Sequence, residues 1–337
     1  MPAVLNRRQC LGFAFGLWAA RAIAQEPAAS SARAFTFGLI TPRAAEQTRD
    51  SWRPFVERLG ASLKVPIELR VFAEQGELVS AFRQGEIDLA WMGNAPALDV
   101  VESGAGAVYA QMVTKDGSFG YNSVLVVPRA STLRSLNDVL ARARELRFGD
   151  GDLKSTSGHL VPTYFAFQKN GIDDARTLFK SVSNASHQRN LTMASRGEVD
   201  VATANTEELR FFEHDFPAMA RQIRVIWESP LIPQSPLLWR TSLPAEMRRK
   251  VLQFTIGFGG KDAEQRRILE QVNSLSGFRQ SNNRQLVAVA DIEMFKARQA
   301  INNDKSLSAQ ERARRIDEVI RRGSRLDLLL KLSASGR

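Results

Sequence analysis

Two short stretches of this chain repeat each other and limit the folds that it can adopt. Residues 85–90 read GEIDLA and residues 197–202 read GEVDVA, so the two glycines lie 112 positions apart. In both copies a helical stretch ends at the glycine, a residue suited to a helix C-terminus, and an apolar strand follows. Each strand leads into a loop with an asparagine, Asn94 or Asn205, before another helix. Asparagine is a favoured helix N-cap, so both copies predict the same helix–strand–helix unit.

The repeat has two interpretations. A Gly-Glu-Ile-Asp junction is an ordinary passage from a helix to a strand, and its recurrence would then be coincidence. The matching loop downstream of each copy favours the other interpretation, in which two α/β lobes share one architecture. We therefore predict two similar α/β lobes.

The first part of the chain alternates between strand and helix patterns. Residues 35–40, 67–72 and 88–91 are strand-like, whereas residues 52–63 and 77–83 have helical spacing. Strands interleaved with helices are typical of an α/β sheet with mostly parallel neighbours. Hydrophobic residues make up 44% of the chain, which is enough to fill the cores of two such lobes.

Two segments mark where the chain would cross between the lobes. Residues 121–128 form a strong strand ending at Pro128, and residues 229–236 contain three prolines. We predict a hinge near Pro128 and Ser235, with a cleft at the carboxyl ends of the strands, where ligands bind in open α/β sheets. The predicted units are a first lobe of residues 34–127 and 236–300, a second lobe of residues 128–235, and a C-terminal helix of residues 303–332.

Residues 1–24 have the layout of an export signal. The arginine pair at positions 7 and 8 precedes an apolar run at residues 11–20, and residues 22–24 (AIA) form a small-residue cleavage site. The run is too short to cross a bilayer as a helix. The arginine pair suits the twin-arginine route, and the general secretory route stays open because Cys10 stands where an aromatic residue is commoner.

Cysteine usage and charge narrow the function classes. Cys10 is the only cysteine and lies in the signal, so the exported protein would have no disulfide, thiolate metal site or cysteine nucleophile. The formal charge of the whole chain is +10, and loss of the signal with its three arginines would leave +7. This charge indicates either a mildly positive surface or long-range attraction of small anions. The basic residues are scattered and no aromatic–basic recognition motif occurs, so we predict no nucleic-acid partner.

Residues 150–162 (DGDLKSTSGHLVP) place three hydroxyl groups, those of Ser155, Thr156 and Ser157, just before a helical apolar segment. The G-x-S-x-G frame of a nucleophile elbow is absent, and His159 occupies the position where a Walker loop needs lysine. What remains is a helix N-terminus, whose free N–H groups and dipole favour an oxyanion. An ordinary N-cap needs one hydroxyl, so three favour anion binding, and glycine at 158 allows a close backbone approach.

Catalysis and metal binding have weaker support. No general base stands at a fixed spacing from the hydroxyls, so we predict that the anion is held without reacting. A Ser–His dyad formed with His187 in three dimensions stays open. The three histidines are too dispersed to indicate a metal site, and neither a metal nor a cofactor is implied.

Five motifs, in order along the chain, resemble the phosphonate-binding periplasmic proteins of ABC importers. They are residues 120–126 (GYNSVLV), 148–162 (FGDGDLKSTSGHLVP), 184–190 (NASHQRN), 200–207 (DVATANTE) and 226–233 (IWESPLIP). The resemblance runs from about residue 35 to the C-terminus. It implies a two-lobed type II periplasmic-binding-protein fold that closes around its ligand.

The resemblance also implies roles for individual residues. Ser155, Thr156 and Ser157 would bind the phosphonate oxygens, and Tyr121 and His187 would add donors. Neutral and charge-assisted donors satisfy three oxygens without an arginine.

At the other end of the ligand, Glu207 matches the acidic residue that receives the ammonium of an aminoethyl group. Met92 stands at a position where the family has a tyrosine-like aromatic residue. A second family tyrosine falls near Gln75 and Gly76, and a second acidic residue aligns with Ser235. An aminoalkyl phosphonate is therefore less favoured than in the family at large, and methylphosphonate or phosphite becomes an alternative.

We predict an exported solute-binding protein, not an enzyme, that captures a phosphorus oxyanion for a membrane ABC permease. The alternatives are a sensory subunit that presents the ligand to a membrane kinase and, less favoured, an enzyme on the same fold. In the family the long C-terminal helix supports dimerisation, and the apolar stripe of Ile316, Val319, Ile320 and residues 328–330 would suit a homodimer or docking onto its own lobe.

Overall fold

The computed structural model describes residues 34–41, 44–172 and 174–332. The export signal predicted at residues 1–24 lies outside these residues. The strands are β1 (Phe35–Ile40), β2 (Ile67–Phe72), β3 (Leu89–Trp91), β4 (Gly106–Thr114), β5 (Gly120–Tyr121), β6 (Ser123–Pro128), β7 (Arg147–Gly151), β8 (Ser181–Ala185), β9 (Val201–Asn205), β10 (Ile223–Glu228), β11 (Ile232–Pro233), β12 (Pro236–Arg240) and β13 (Leu275–Gln280).

The α-helices are α1 (Ala45–Leu63), α2 (Gln75–Arg83), α3 (Asn94–Glu102), α4 (Leu136–Arg142), α5 (Ala175–Leu178), α6 (His187–Ser195), α7 (Thr206–Asp215), α8 (Pro217–Ala220), α9 (Ala245–Gly257), α10 (Ala263–Asn273), α11 (Val287–Asn303) and α12 (Ala309–Leu332). A further helical segment runs from Thr156 to Asn170, largely with π-helical hydrogen bonding. We call it the cradle helix.

Two mixed sheets follow the same plan. The first has the strand order β13-β4-β12-β3-β1-β2 and the second has the order β10-β6-β9-β7-β8. In the first, β1 lies parallel to β2 and β3, and β12 runs antiparallel to β3 and β4. In the second, β7 lies parallel to β8 and β9, and β6 runs antiparallel to β9 and β10. The strands β3 and β9 thus hold equivalent central places.

The repeated sequence marks these equivalent places. Gly85 and Gly197 both adopt positive φ angles, +76° and +68°, directly after α2 and α6. This left-handed conformation is one that glycine adopts without steric cost. Asn205 caps α7 as predicted, because its side chain accepts a hydrogen bond from the Glu208 N–H at 2.8 Å. The repeat was therefore a correct guide to a duplicated architecture.

The second asparagine behaves differently from the prediction. Asn94 is the first residue of α3, and Gly93 holds the N-cap position without a side chain to cap with. The Asn94 amide instead donates to the Pro233 carbonyl at 2.7 Å. It therefore ties α3 to the segment that crosses back between the sheets.

The chain crosses between the sheets at the short ribbon formed by β5 and β11. β6 pairs with β9 and β10, so residues 123–127, which the sequence analysis assigned to the first lobe, belong to the second sheet. The physical reason is that both faces of β6 are buried within that sheet's own layers. Val124 and Val126 pack into one cluster and Leu125 and Val127 into another.

The C-terminal helix packs back onto the first sheet's layer. Leu326 and Leu330 are buried in its core, and Arg322 forms an ion pair with Glu102 of α3. The Ser308 hydroxyl accepts a hydrogen bond from the Glu311 N–H at 3.2 Å, which is one half of a capping box. Ile320, Leu328, Leu329 and Leu332 of α12 are exposed. Across the ranges described above, no helix combines the length and the apolar character needed to span a membrane.

Candidate functional site

A cavity of about 660 Å³ lies between the two sheets. Of the eight residues that the sequence analysis selected, seven line it: Ser155, Thr156, Ser157, Tyr121, His187, Glu207 and Ser235. The first sheet's layers contribute the ends of β1 and β3 and the starts of α2 and α3.

Five helix N-termini meet at this cavity. Residues at the starts of α2, α3, α6, α7 and the cradle helix all line it. Each N-terminus presents backbone N–H groups without intrahelical partners and the positive end of a helix dipole. The positive ends of these helices therefore favour an anion at this place even without a cationic side chain.

The three consecutive hydroxyls have different partners. The Ser155 hydroxyl oxygen accepts from the Gly158 N–H at 3.0 Å and so caps the cradle helix. The Thr156 hydroxyl oxygen accepts from the Ala95 N–H at 2.7 Å, at the start of α3. The Ser157 hydroxyl lies 3.2 Å from the His187 Nε2 atom and 3.2 Å from the Asn205 Nδ2 atom. Ser155 thus caps its own helix, Thr156 bonds the start of α3, and Ser157 faces His187 and Asn205.

The backbone beneath the hydroxyls is packed without room for side chains. A Cβ atom added at Gly151 would meet the backbone of Gly158 at 2.5–2.6 Å. Real Cβ atoms do not approach backbone atoms so closely, so the end of β7 and the start of the cradle helix require this glycine pair. This packing concerns Gly151, and the predicted close approach of the Gly158 backbone to an anion stays a prediction.

His187 is buried at the start of α6, and this burial lowers its pKa to about 4. The imidazole is therefore neutral near pH 7. Its Nε2 atom faces Ser157, and its Nδ1 atom has no hydrogen-bond partner among the described residues. A Ser–His dyad needs a base that is poised near the working pH and oriented by a third group. The geometry therefore suits an uncharged imidazole that contacts a ligand better than an imidazole that acts as a general base.

Tyr121 is a second neutral donor. Its hydroxyl lies within hydrogen-bonding reach of Ser157 and Ser235, and burial, together with the nearby Glu207 carboxylate, raises its pKa to about 12. The phenol therefore keeps its proton at physiological pH.

The acidic end of the cavity is built by α7 and the crossing segment before β12. Glu207 is buried, and one of its carboxylate oxygens accepts from the Gln234 side chain at 2.8 Å. Ser235 is also buried beside this pair, at the position where the resemblance places a second acidic residue.

Met92 does not line the cavity. It is fully buried in the core of the first sheet's layer, whereas its neighbour Trp91, at the end of β3, lines the cavity. Successive residues of an extended chain point to opposite sides, so only one of the two can face the ligand. The sequence analysis chose the wrong neighbour.

Two further residues were missed by the sequence analysis. The indole Nε1 of Trp91 and the amide Oε1 of Gln75 are buried on cavity-lining side chains and have no hydrogen-bond partner among the described residues. Buried polar atoms are nearly always paired, so these two suit a bound ligand or water. The available signal was their position at the carboxyl edge of the sheet, where Trp91 ends β3 and Gln75 follows the end of β2 by three residues.

Within the described residues no group of three or more histidine, cysteine, aspartate or glutamate side chains is arranged to hold a metal ion. The cavity is lined by neutral donors, helix N-termini, a few carboxylates and Lys154, whose ammonium pairs with Asp99. Such a set can hold and orient an oxyanion.

Comparison with known proteins agrees with this geometry. Residues 37–286 match the family model of the periplasmic phosphonate substrate-binding proteins of ABC transporters. The chain is 36% identical over 287 residues to the phosphonates-binding periplasmic protein of Escherichia coli, an alignment that covers 85% of this chain and 84% of that protein.

Two solved structures are similar. A binding protein component of an ABC phosphonate transporter from Pseudomonas aeruginosa superposes with a TM-score of 0.81 and 35% identity, over 87% of this chain and 96% of that chain. A Prochlorococcus marinus protein in complex with methylphosphonate superposes with a TM-score of 0.70 and 20% identity, over 78% and 99% of the two chains. The expected two-lobed type II periplasmic-binding-protein fold is confirmed.

Proposed function

This chain belongs to the periplasmic phosphonate-binding proteins of ABC transporters, and from that premise we propose that it captures a phosphonate-like oxyanion by closing its two lobes around it. The observation that carries this proposal is the meeting of Ser155, Thr156 and Ser157 with helix N-termini from both sheets at one cavity. Closure of a hinged cleft is a common way for two-lobed proteins to enclose a small ligand.

The oxyanion would be held by neutral donors. The hydroxyls of residues 155–157, the Tyr121 phenol and the His187 imidazole are uncharged near pH 7. Ser157 and His187 bond each other, so in either tautomer of the neutral imidazole one of the two is left to donate to the ligand. Hydrogen bonds from neutral donors to a charged oxygen are stronger than those between neutral groups. We add Trp91 as a further donor, because its unpaired indole N–H lines the same cavity.

The tail of the ligand would lie toward Glu207 and Ser235. An ammonium tail would meet Glu207, but Ser235 stands where the family pattern provides a second acidic residue. We therefore propose that methylphosphonate and phosphite bind at least as tightly as 2-aminoethylphosphonate.

Calorimetric titration with 2-aminoethylphosphonate, methylphosphonate, phosphite, phosphate and sulfate tests both statements. The variant Ser155→Ala/Thr156→Ala should abolish measurable binding of the preferred ligand. The matched control, Ser131→Ala/Thr132→Ala, removes an adjacent hydroxyl pair that does not line the cavity and should bind as the wild type does. No heat with any phosphorus oxyanion from a folded sample would refute the proposal, and a clear preference for 2-aminoethylphosphonate would refute the assignment of the tail.

Delivery of the ligand would need export and a membrane permease, which is the arrangement of the family's ABC transporters. We propose that residues 1–24 direct export by the twin-arginine or the secretory route. Replacing Arg7 and Arg8 with lysine separates the two, since the twin-arginine route depends on the arginine pair. Retention of the variant in the cytoplasm would support that route, and unchanged export would support the secretory one.

The assignment of residues to the two lobes is a proposal, and so is the homodimer. The pairing of β6 moves our proposed boundary of the first lobe from residue 127 back to the crossing between Thr114 and Ser123.

A homodimer through α12 would use the exposed side chains of Ile320, Leu328 and Leu329. Sedimentation of the wild type and of an Ile320→Glu/Leu328→Glu variant at equal concentration tests it: a dimer that is absent in the variant supports this interface.

A further inference from the structure

Two helices of the first sheet's layer begin at the cavity without capping themselves. Glu74 at the N-cap of α2 makes no side-chain capping hydrogen bond, and Gly93 at the N-cap of α3 has no side chain to make one. Side-chain caps are present on some of the other helices and absent from α1, α8, α9 and α11. Ser135, Ser186, Asn205 and Asp262 cap α4, α6, α7 and α10.

The missing caps come from the other side of the cleft. The Asp152 carboxylate accepts from the Gln75 N–H, the first of α2, at 3.3 Å. The Thr156 hydroxyl accepts from the Ala95 N–H of α3 at 2.7 Å. Both acceptors lie on residues 152–156, which run from the end of β7 to the first residue of the cradle helix. We call this segment the latch loop. One loop of the second sheet's layer thus caps two helices of the first.

A third contact lies between these two. The Lys154 ammonium donates to the Asp99 carboxylate of α3 at 2.7 Å. The latch loop is itself ordered by Asp152, whose second carboxylate oxygen accepts from the Lys154 N–H at 2.7 Å. The contacts to Gln75, Ala95 and Asp99 all join opposite sides of the cleft and must break when the lobes separate.

We propose that the latch loop holds the closed form of the protein by capping α2 and α3 across the cleft, with the Lys154–Asp99 pair as an added electrostatic contact. Its residues set how long a ligand is retained. Opening exposes two helix N-termini and leaves Asp152 and Thr156 without these partners. The capping contact of Asp152 and the ion pair do not involve the ligand, so they stabilise every closed complex alike.

The proposal makes distinct predictions for the capping residue. Asp152→Ala removes the cap of α2 and should weaken binding of any accepted ligand by about fivefold, the value of a missing N-cap. Asp152→Asn keeps one acceptor oxygen, which can cap α2 but cannot also accept from the Lys154 N–H. Asparagine caps as well as aspartate does, so its affinity should fall less than that of Asp152→Ala. The loss should lie in a faster dissociation rate, measured by stopped-flow fluorescence.

The ion pair provides an independent test. Lys154 lines the cavity and Asp99 does not. If Lys154 acts through Asp99, then Lys154→Met and Asp99→Asn should each weaken ligand binding by about two- to fivefold. This loss of affinity should be smaller at high salt, which screens the ion pair. The double variant should bind no more weakly than either single variant, because both remove the same contact. If Lys154 contacts the ligand directly, Lys154→Met alone weakens binding and the proposed pair is overturned.

Matched controls exclude a general loss of stability. Asp174→Ala removes a cap from α5, an element of the second sheet's own layer, because the Asp174 carboxylate accepts from the Arg176 N–H at 2.9 Å. This variant should lose thermal stability and keep its ligand affinity. Conversely, Asp152→Ala destabilises the closed form that the ligand binds, so it should reduce the rise in melting temperature that the ligand causes.

The proposal rests on the proposed function only for the identity of the ligand. Spin labels on Glu57→Cys and Arg210→Cys in a Cys10→Ser chain report the separation of α1 and α7 directly. If the wild type binds no phosphonate, the proposed function fails and this distance decides the latch. A shift toward wider separations in Asp152→Ala/Lys154→Met supports it, and an unchanged distribution overturns it. If the wild type binds a phosphonate, and Asp152→Ala and Lys154→Met keep its affinity and its dissociation rate, then the latch proposal is overturned and the proposed function stands.

Discussion

Replacing His187 with glutamine should remove a pH dependence from the folding of this protein. Burial lowers the pKa of His187 to about 4, whereas an imidazole in the unfolded chain titrates near 6.5. Between these values the unfolded chain holds a proton at this residue that the folded chain lacks. The free energy of unfolding therefore rises with pH across this window. The contribution of His187 to the free energy of unfolding is complete above about pH 6.5 and is lost as the pH falls toward 4.

The magnitude follows from the shift. A difference of about 2.5 pKa units at about 1.4 kcal/mol per unit amounts to about 3 kcal/mol. Urea unfolding of the wild type and His187→Gln at pH 7, 6, 5 and 4 measures it. The chain's carboxylates also titrate in this range, but they do so in both proteins and cancel in the difference. The advantage of the wild type over the variant should shrink by about 3 kcal/mol between pH 7 and pH 4.

A second histidine of the chain, His214, provides the control. His214→Gln changes a histidine whose side chain is 87% exposed, and it should not reproduce this pH-dependent difference. A difference between the wild type and His187→Gln that is constant from pH 7 to pH 4 would refute the reasoning. It would mean that the imidazole is solvated or paired in the folded protein.

Three further changes test other parts of the structure. Tyr121→Phe removes one neutral donor and should raise the Kd of the preferred ligand by about three- to tenfold in calorimetry, with the pH dependence of binding below pH 9 unchanged. Gly151→Ala forces a Cβ against the Gly158 backbone and should abolish ligand binding, while far-ultraviolet circular dichroism shows the fold retained. Leu326→Ala should cost about 2–5 kcal/mol in urea unfolding, because this side chain is buried, whereas Leu328→Ala on the exposed face should cost less than about 0.5 kcal/mol.

The strands and helix ends governed by local patterns were predictable from the sequence. Strands β1 and β2 occupy the predicted residues, and the left-handed glycines stand at both copies of the repeat. Each of these depends on residues within a few positions along the chain. The hydroxyl cluster was also visible, because Ser155 to Ser157 are consecutive in the sequence.

The errors came from contacts between distant residues. Residues 123–127 were grouped with the first lobe because β6 looks like any buried strand, and only its partners β9 and β10 decide its sheet. Met92 was chosen in place of Trp91 because the facing side of a three-residue strand depends on its neighbours β1 and β12. The caps of α2 and α3 were invisible, since Asp152 lies 77 positions from Gln75 and Thr156 lies 61 positions from Ala95.

A transport protein must bind its ligand and also release it, and the cavity suits both demands. Neutral donors hold an oxyanion without a permanent ion pair, so no buried cation is left uncompensated when the ligand leaves. Thr156 serves the proposed ligand and the start of α3 at once. A permease that separates the lobes would therefore break the latch and disassemble the oxyanion site in one movement. Under this proposal, each capping hydrogen bond that breaks on opening lowers the affinity of the site at the moment when the ligand has to depart.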